Sequence, residues 1–209
     1  MNEISRRQFF NRALIGAAAF AVPTSANDII FTPGNGVQLT GPSSRLLDRA
    51  KAAMQIHSPR VRNSEIVAIA DFSRPSRDPR FRIVNLHSGK STSVLVAHGK
   101  GSDPGHSGWV QSFSNVPGSE ATSSGSYLVG EGYFGEHGAS RRLAGLDPEN
   151  DQAASRAIVI HPAWYVSRDM AADRGKIGRS QGCFAFAQND IEQILSKLTP
   201  GTLLFADKA

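Results

Sequence analysis

Residues 65–98 read EIVAIADFSRPSRDPRFRIVNLHSGKSTSVLVAH. Three apolar runs, 65–72, 81–86 and 93–97, alternate with a period near two and are rich in Ile, Val and Phe, the signature of half-buried β-strands. The HSGKS stretch between the second and third runs carries a glycine where a tight turn needs one and predicts a hairpin. Two further short strands are expected at 126–129 and 157–161 (AIVIH), and TLLFA at 202–206 reads as a closing strand. Helical periodicity is confined to the two ends. Leu46, Leu47, Ala50, Ala53 and Met54 fall on one face of a helix capped by Ser43 or Ser44 and running to about Ile56. Near the C-terminus, Asn189 and Glu192 have capping-box spacing and open a short helix, IEQILSKL, which Pro200-Gly201 stops. The fold class is therefore mainly β, a β-rich α+β domain with an N-terminal helix and a short C-terminal one.

The chain start reads differently. Arg6-Arg7 precede an uncharged, Ala-rich run over 13–22, and Thr24-Ser25-Ala26 supplies small residues for cleavage. The run is far shorter than the ~20 residues a membrane span requires. Residues 1–26 resemble a twin-arginine export signal, and 27–42, rich in Gly, Pro, Asn and Thr, read as a tether. A single catalytic-sized domain, 43–209, remains. No other stretch is apolar enough to span a membrane. The net charge of +5 includes +2 from the first 26 residues, and the rest is scattered. That gives nucleic-acid binding no support and suits an anionic wall polymer.

Cys183 is the one cysteine. In an oxidising compartment it cannot form an internal disulfide, so it is either a buried small hydrophobe or a reactive thiol. Its setting is GRSQGCF, 178–184, where Gly182 allows a bend that gathers backbone N–H groups. Thioester chemistry needs such donors together with an imidazole to take the thiol proton. Two histidines follow aliphatic runs and would be held at strand ends: His98 after VLVA and His161 after AIVI. Long Gly/Ser-rich connections (GKGSDPGHSGW, SNVPGSEATSSG and GYFGEHGASRRLAGLDPENDQ) are of a length that tends to be functional.

The stretch IHPAWYVS…GRSQGCF resembles the active-site signature of murein L,D-transpeptidases of the YkuD type, in the divergent subgroup with GRS-x-GC. VAHGKGS, FSNVPGS, SSGSYLVGEGYFGEHGASRRLAGL and RAIVIHPAWYVS resemble that subgroup's blocks in the same order. The resemblance implies a β-sandwich catalytic domain acting on peptidoglycan stem peptides without a cofactor or metal. It implies Cys183 as nucleophile, His161 as base, Gly182 and Cys183 N–H groups as oxyanion hole, and Ser180 or its carbonyl orienting the imidazole. Arg179, Gln181, His98, His137 and Tyr165 are candidates for lining the substrate groove, and Trp109 and Trp164 for core or groove wall. Three departures stand out: Gln181 where many members carry His, Pro162 where many carry Gly, and Ala185 where Arg or Asn is usual. Gln has no basic nitrogen at neutral pH, so proton transfer falls to His161. An L,D-carboxypeptidase using the same pair, a non-catalytic wall-binding protein and a zinc peptidase remain as alternatives, although no H-E-x-x-H occurs. Oligomeric state is not legible.

Overall fold

The structure, a computed structural model, describes residues 42–209; the stretches expected to be an export signal (1–26) and most of a tether (27–42) lie outside the described residues. The chain runs α1 (Pro42–Ile56), β1 (Asn63–Asp71), β2 (Phe81–Asn85), β3 (Ser91–Val94), β4 (Gly125–Gly135), β5 (Gly138–Gly145), β6 (Val159–Pro162), α2 (Arg168–Arg174), β7 (Phe184–Phe186), α3 (Ile191–Lys197) and β8 (Thr202–Asp207). All eight strands join one sheet in the order β3-β2-β1-β8-β4-β5-β6-β7. Pairing is antiparallel except for β1 with β8 and β6 with β7.

The sheet wraps over one core. Ala68, Phe81, Ile83, Tyr127, Leu143, Ile160, Phe184, Phe186 and Leu204, from seven different strands, pack into a single cluster. The alternate residues of β1 and β8 (Val67, Ile69, Leu203, Phe205) face outward and are covered by Leu46, Leu47, Ala50, Ala53 and Met54 of α1. Burying each Leu there contributes about 1.5–3 kcal/mol, and the helix is further fixed by Arg49 bonded to Asp207. A third cluster, with Ala171 of α2 against Ala163, Leu95, Ala97 and Ala185, covers the sheet near β6 and β7.

The VLVA run divides its backbone between two partners. Val94 pairs with Phe81 of β2, while Ala97 bridges to Ala185 of β7 and Gly99 bridges to Ser180. The first and last strands of the sheet are thereby drawn together, and the Cys183 segment is caught between them.

Four local expectations are corrected. The Gly-rich stretch read as a connection forms the end of β4 and all of β5, with Glu136-His137 as its turn. Four glycines and several polar residues hide its alternation, but cross-strand contacts hold it, including the Arg142 guanidinium 4.7 Å from the Tyr133 ring. Helix α2 was not foreseen, although its ends are marked: Ser167 Oγ accepts from Met170 N–H, and Gly175 turns left-handed at φ 66°. The last helix starts at Ile191 after Asp190, and its cap residue makes no side-chain capping bond, so the Asn189–Glu192 box is not formed. Trp109 and Trp164 are not core, being 44% and 76% exposed; the turn closed by Val166 N–H on Ala163 O puts Ala163 and Val166 inward and Trp164 outward.

Candidate active site

Cys183 is anchored from the residue that follows it. Phe184 is fully buried, with its ring edge-on to Tyr127 at 5.3 Å and tilted against Phe72 at 6.2 Å. The Tyr127 hydroxyl, raised out of the titrating range by burial, donates to Ser123 O at 2.8 Å. The turn before Cys183 is fixed by backbone bonds: Ser180 N–H to His98 O at 2.9 Å, and Lys100 N–H to Ser180 O at 2.8 Å. Gly182 sits at φ 114°, where an added Cβ would lie 2.8 Å from Ala121 O and from Ile158 Cδ1. Gly99 packs flat against it, since a Cβ on Gly99 would fall 2.7 Å from Gly182 N and Cα. The two backbones touch, so glycine is required on both sides.

His161 pairs with Ala185 across the parallel β6–β7 ladder. Cys183 lies two residues upstream of that partner, about 7 Å along the strand. Its thiol meets the start of β6: Sγ donates to Ala157 O at 3.5 Å and feels the Val159 N–H dipole. His161 Nδ1 lies 2.9 Å from Pro162 O. A carbonyl only accepts, so Nδ1 carries the proton and Nε2 keeps its lone pair. The His137 ring, carried on the β4–β5 turn, stacks on His161 with centroids 4.4 Å apart.

Burial pushes the Cys183 thiol up, against opposing effects from Val159 N–H and the Arg156 charge. Burial also pulls His161 down, the Pro162 carbonyl opposes that, and His137 adds to it. Both shifts favour neutral forms, so the resting pair is thiol and imidazole.

Several expected roles move. Ser180 does not orient His161: its hydroxyl donates to Cys183 O at 2.7 Å and accepts from Gly182 N–H at 3.2 Å, and its carbonyl is taken by Lys100. Pro162 supplies the orienting carbonyl. The Gly182 N–H, expected in the oxyanion hole, is bonded to that same serine hydroxyl. His98 is fully buried and cannot line a groove. Arg80 donates to its Nδ1 at 2.6 Å, and its Nε2 faces Asp103 Oδ2 at 3.4 Å without hydrogen-bond geometry. Arg179 is partly committed, donating to Asp103 O and Pro104 O. Gln181 is exposed, and Tyr165 is half-buried, its phenol pushed up to about 12 by burial and by the Cys183 charge. Ala185 is fully buried against His161 and Ala97, which leaves no room for the arginine usual at that position.

Sequence reasoning missed Gly99, Thr122 and Arg156. Thr122 Oγ1 accepts from Gly99 N–H at 2.9 Å and donates to Gly182 O at 3.4 Å. The paired glycines of GKG were the available signal for the first; polar residues within Ser-rich loops gave none for the others. Among the described residues no group of three His, Cys, Asp or Glu side chains is gathered to hold a metal, and no helix is long and apolar enough to cross a membrane.

Residues 40–206 match the family of L,D-transpeptidase catalytic domains, YkuD_2. The chain belongs to that family. No curated protein matches it. Similar solved structures include L,D-transpeptidase 3 from Mycobacterium tuberculosis, at 13% identity over 69% of this chain and 61% of that one, with a TM-score of 0.42. The helical cell shape determining protein Pgp2 from Campylobacter jejuni is 12% identical over 71% and 48%, with a TM-score of 0.46. An Enterococcus faecium L,D-transpeptidase is 8% identical over 69% and 50%, with a TM-score of 0.42. The chain thus spans about half to three-fifths of the length of these proteins.

Proposed function

We propose that this L,D-transpeptidase-family domain is a cysteine acyl-transferase acting on peptidoglycan stem peptides outside the cytoplasm, delivered there by residues 1–26. The observation that carries the reading is an imidazole whose Nδ1 is committed to Pro162 O, held on the strand that pairs with the one Cys183 leads into. That commitment leaves Nε2 as a base. In the reaction, Cys183 Sγ bonds to the carbonyl carbon between the L-centre and the D-residue of a donor stem, and its proton passes to His161 Nε2. The C–N bond then breaks, and the imidazolium returns the proton to the departing amine of the D-residue. An acceptor amine releases the thioester; water in its place gives the carboxypeptidase outcome from the same intermediate.

Because the Gly182 N–H is engaged by Ser180, the Cys183 N–H is the backbone donor on which the oxyanion relies. The neutral resting pair means that the thiol is deprotonated in concert with attack rather than stored as thiolate. Tyr165, Gln181, Arg179 and His137 border this turn or His161 and are assigned to substrate contact; His98 is not. Intact-mass spectrometry after incubation with a tetrapeptide muropeptide or a carbapenem tests the reading. A covalent adduct in the wild type that is absent in Cys183→Ala and slowed in His161→Ala supports it. Unmodified protein and unconsumed muropeptide would sink it.

A further inference from the structure

Residues 150–157 wind into a turn that closes with Ile158 N–H on Ala153 O at 2.9 Å and Ala157 N–H on Ala154 O at 3.1 Å. This doubled closure ends helical turns on a left-handed residue, usually glycine. Here the residue is Ala157, at φ 52°. The cap aims two groups at the nucleophile. The Ala157 carbonyl accepts from Cys183 Sγ at 3.5 Å. The Arg156 side chain runs beneath the nucleophile turn, and its Nη2 would lie 3.3 Å from a Cβ placed on Gly182.

The guanidinium also grips the 114–123 loop. Nη1 donates to Ser114 O at 2.8 Å and Ser123 Oγ at 2.7 Å. Nη2 donates to Ser119 Oγ at 3.3 Å and to Ala121 O. The same loop carries Thr122, whose hydroxyl joins Gly99 N–H to Gly182 O. A planar, always-charged fork suits four acceptors spread over two directions, whereas an ammonium group presents a single point.

We propose that Arg156 is a positioning residue for Cys183: it clamps the 114–123 loop against the turn that carries the thiol and holds a fixed positive charge beside the forming thiolate. The inference rests on Cys183 being the nucleophile. Arg156 touches no substrate atom in this account and acts through Gly182 and Cys183. The charge opposes the burial that raises the thiol, so removing it lifts the thiol further.

The test measures the rate of Cys183 alkylation by iodoacetamide from pH 6 to 10 on the wild-type domain, Arg156→Lys and Arg156→Gln, followed by intact mass, with melting curves in parallel. In Arg156→Gln the profile is expected to move toward higher pH, with a roughly three- to tenfold slower reaction at pH 7, since one unit of thiol shift is a tenfold change in thiolate. Arg156→Lys, keeping the charge without the fork, is expected to fall between. An Arg156→Gln profile that overlays the wild type overturns the inference. If that variant does not stay folded, an Arg156→Lys profile overlaying the wild type overturns it equally. Acylation of wild-type Cys183 by a tetrapeptide muropeptide, run beside it, separates the two ideas. A shifted alkylation profile without any acyl adduct would retain the positioning role and remove the transferase reading; an adduct with unshifted profiles would do the reverse.

Discussion

His98 and His161 each end a run of aliphatic residues, and the fold gives them opposite tautomers. His98 receives a proton donor, the Arg80 guanidinium, at Nδ1, so its own proton resides on Nε2. His161 meets a carbonyl at Nδ1, so its proton is there and Nε2 is the basic atom. Each partner dictates the outcome, because guanidinium only donates and carbonyl only accepts. The first ring completes a buried network in which Arg80 also donates to Val96 O and Arg74 O and lies 4.8 Å from the Phe72 ring. The second ring retains one uncommitted nitrogen beside the cysteine turn. A histidine's chemistry is therefore set by the atom that faces Nδ1, which its position at a strand end does not reveal.

The sharpest way to break this contrast is to remove each ring in turn. His161→Gln is expected to slow acylation of Cys183 by about 10²–10⁴-fold, the usual worth of a positioned base, while the melting temperature stays within a few degrees. His98→Ala is expected to act the other way. It leaves a fully buried guanidinium without its imidazole acceptor and costs about 3 kcal/mol, readable as a lower denaturation midpoint. An intact fold in His98→Ala together with collapse in His161→Gln would reverse the assignment of roles.

Acid sharpens the same comparison. Burial and the Arg80 charge drive His98 down to about 3, against about 6.5 for an unfolded histidine. The unfolded chain therefore binds the extra proton first, and stability falls as pH drops from about 6.5 toward 3, with no contribution from this group above that window. At pH 4.5 the loss from His98 is up to roughly 2–3 kcal/mol. His161, also lowered, adds in the same direction. His98→Asn keeps an acceptor for Arg80 without titrating, so its stability is expected to fall less between pH 7 and pH 4.5 than that of the wild type. Equal losses in the two proteins would show that His98 is not the buried proton acceptor.

The sheet was legible where residues alternate cleanly: β1, β2 and β8 were expected within two residues of where they lie, and α1 declared itself by the spacing of Leu46, Leu47, Ala50 and Ala53. The β4–β5 hairpin was not legible, because Gly130, Gly132, Gly135 and Gly138 carry no side chain to report a face. The short α2 was hidden by the neighbouring loops, though Ser167 and Gly175 bracket it. In the candidate site, Cys183 and His161 were singled out from GRSQGCF and AIVIH and the family resemblance. Which carbonyl would orient the imidazole could not be named, since Ser180 and Pro162 become alternatives only after β6 and β7 pair. Arg156 was invisible for a related reason: its acceptors lie 33–42 residues away in sequence, and nothing local distinguishes it from a solvated arginine.

The smallest expected effect concerns the ring that separates His161 from solvent. His137 stacks on His161, excludes water from it, and its charge disfavours a second proton nearby. Both effects lower His161, so the acid limb of the acylation profile is expected below about 6.5, the ordinary histidine value. In His137→Ala both effects are lost, and the acid limb is expected to move upward, with the plateau rate at pH 8 changed far less than the rate at pH 5.5. If His137 served the substrate alone, KM would rise at every pH and the limb would stay in place. Measuring kcat/KM from pH 5 to 8 for the two proteins distinguishes a ring that tunes the base from one that binds the stem peptide.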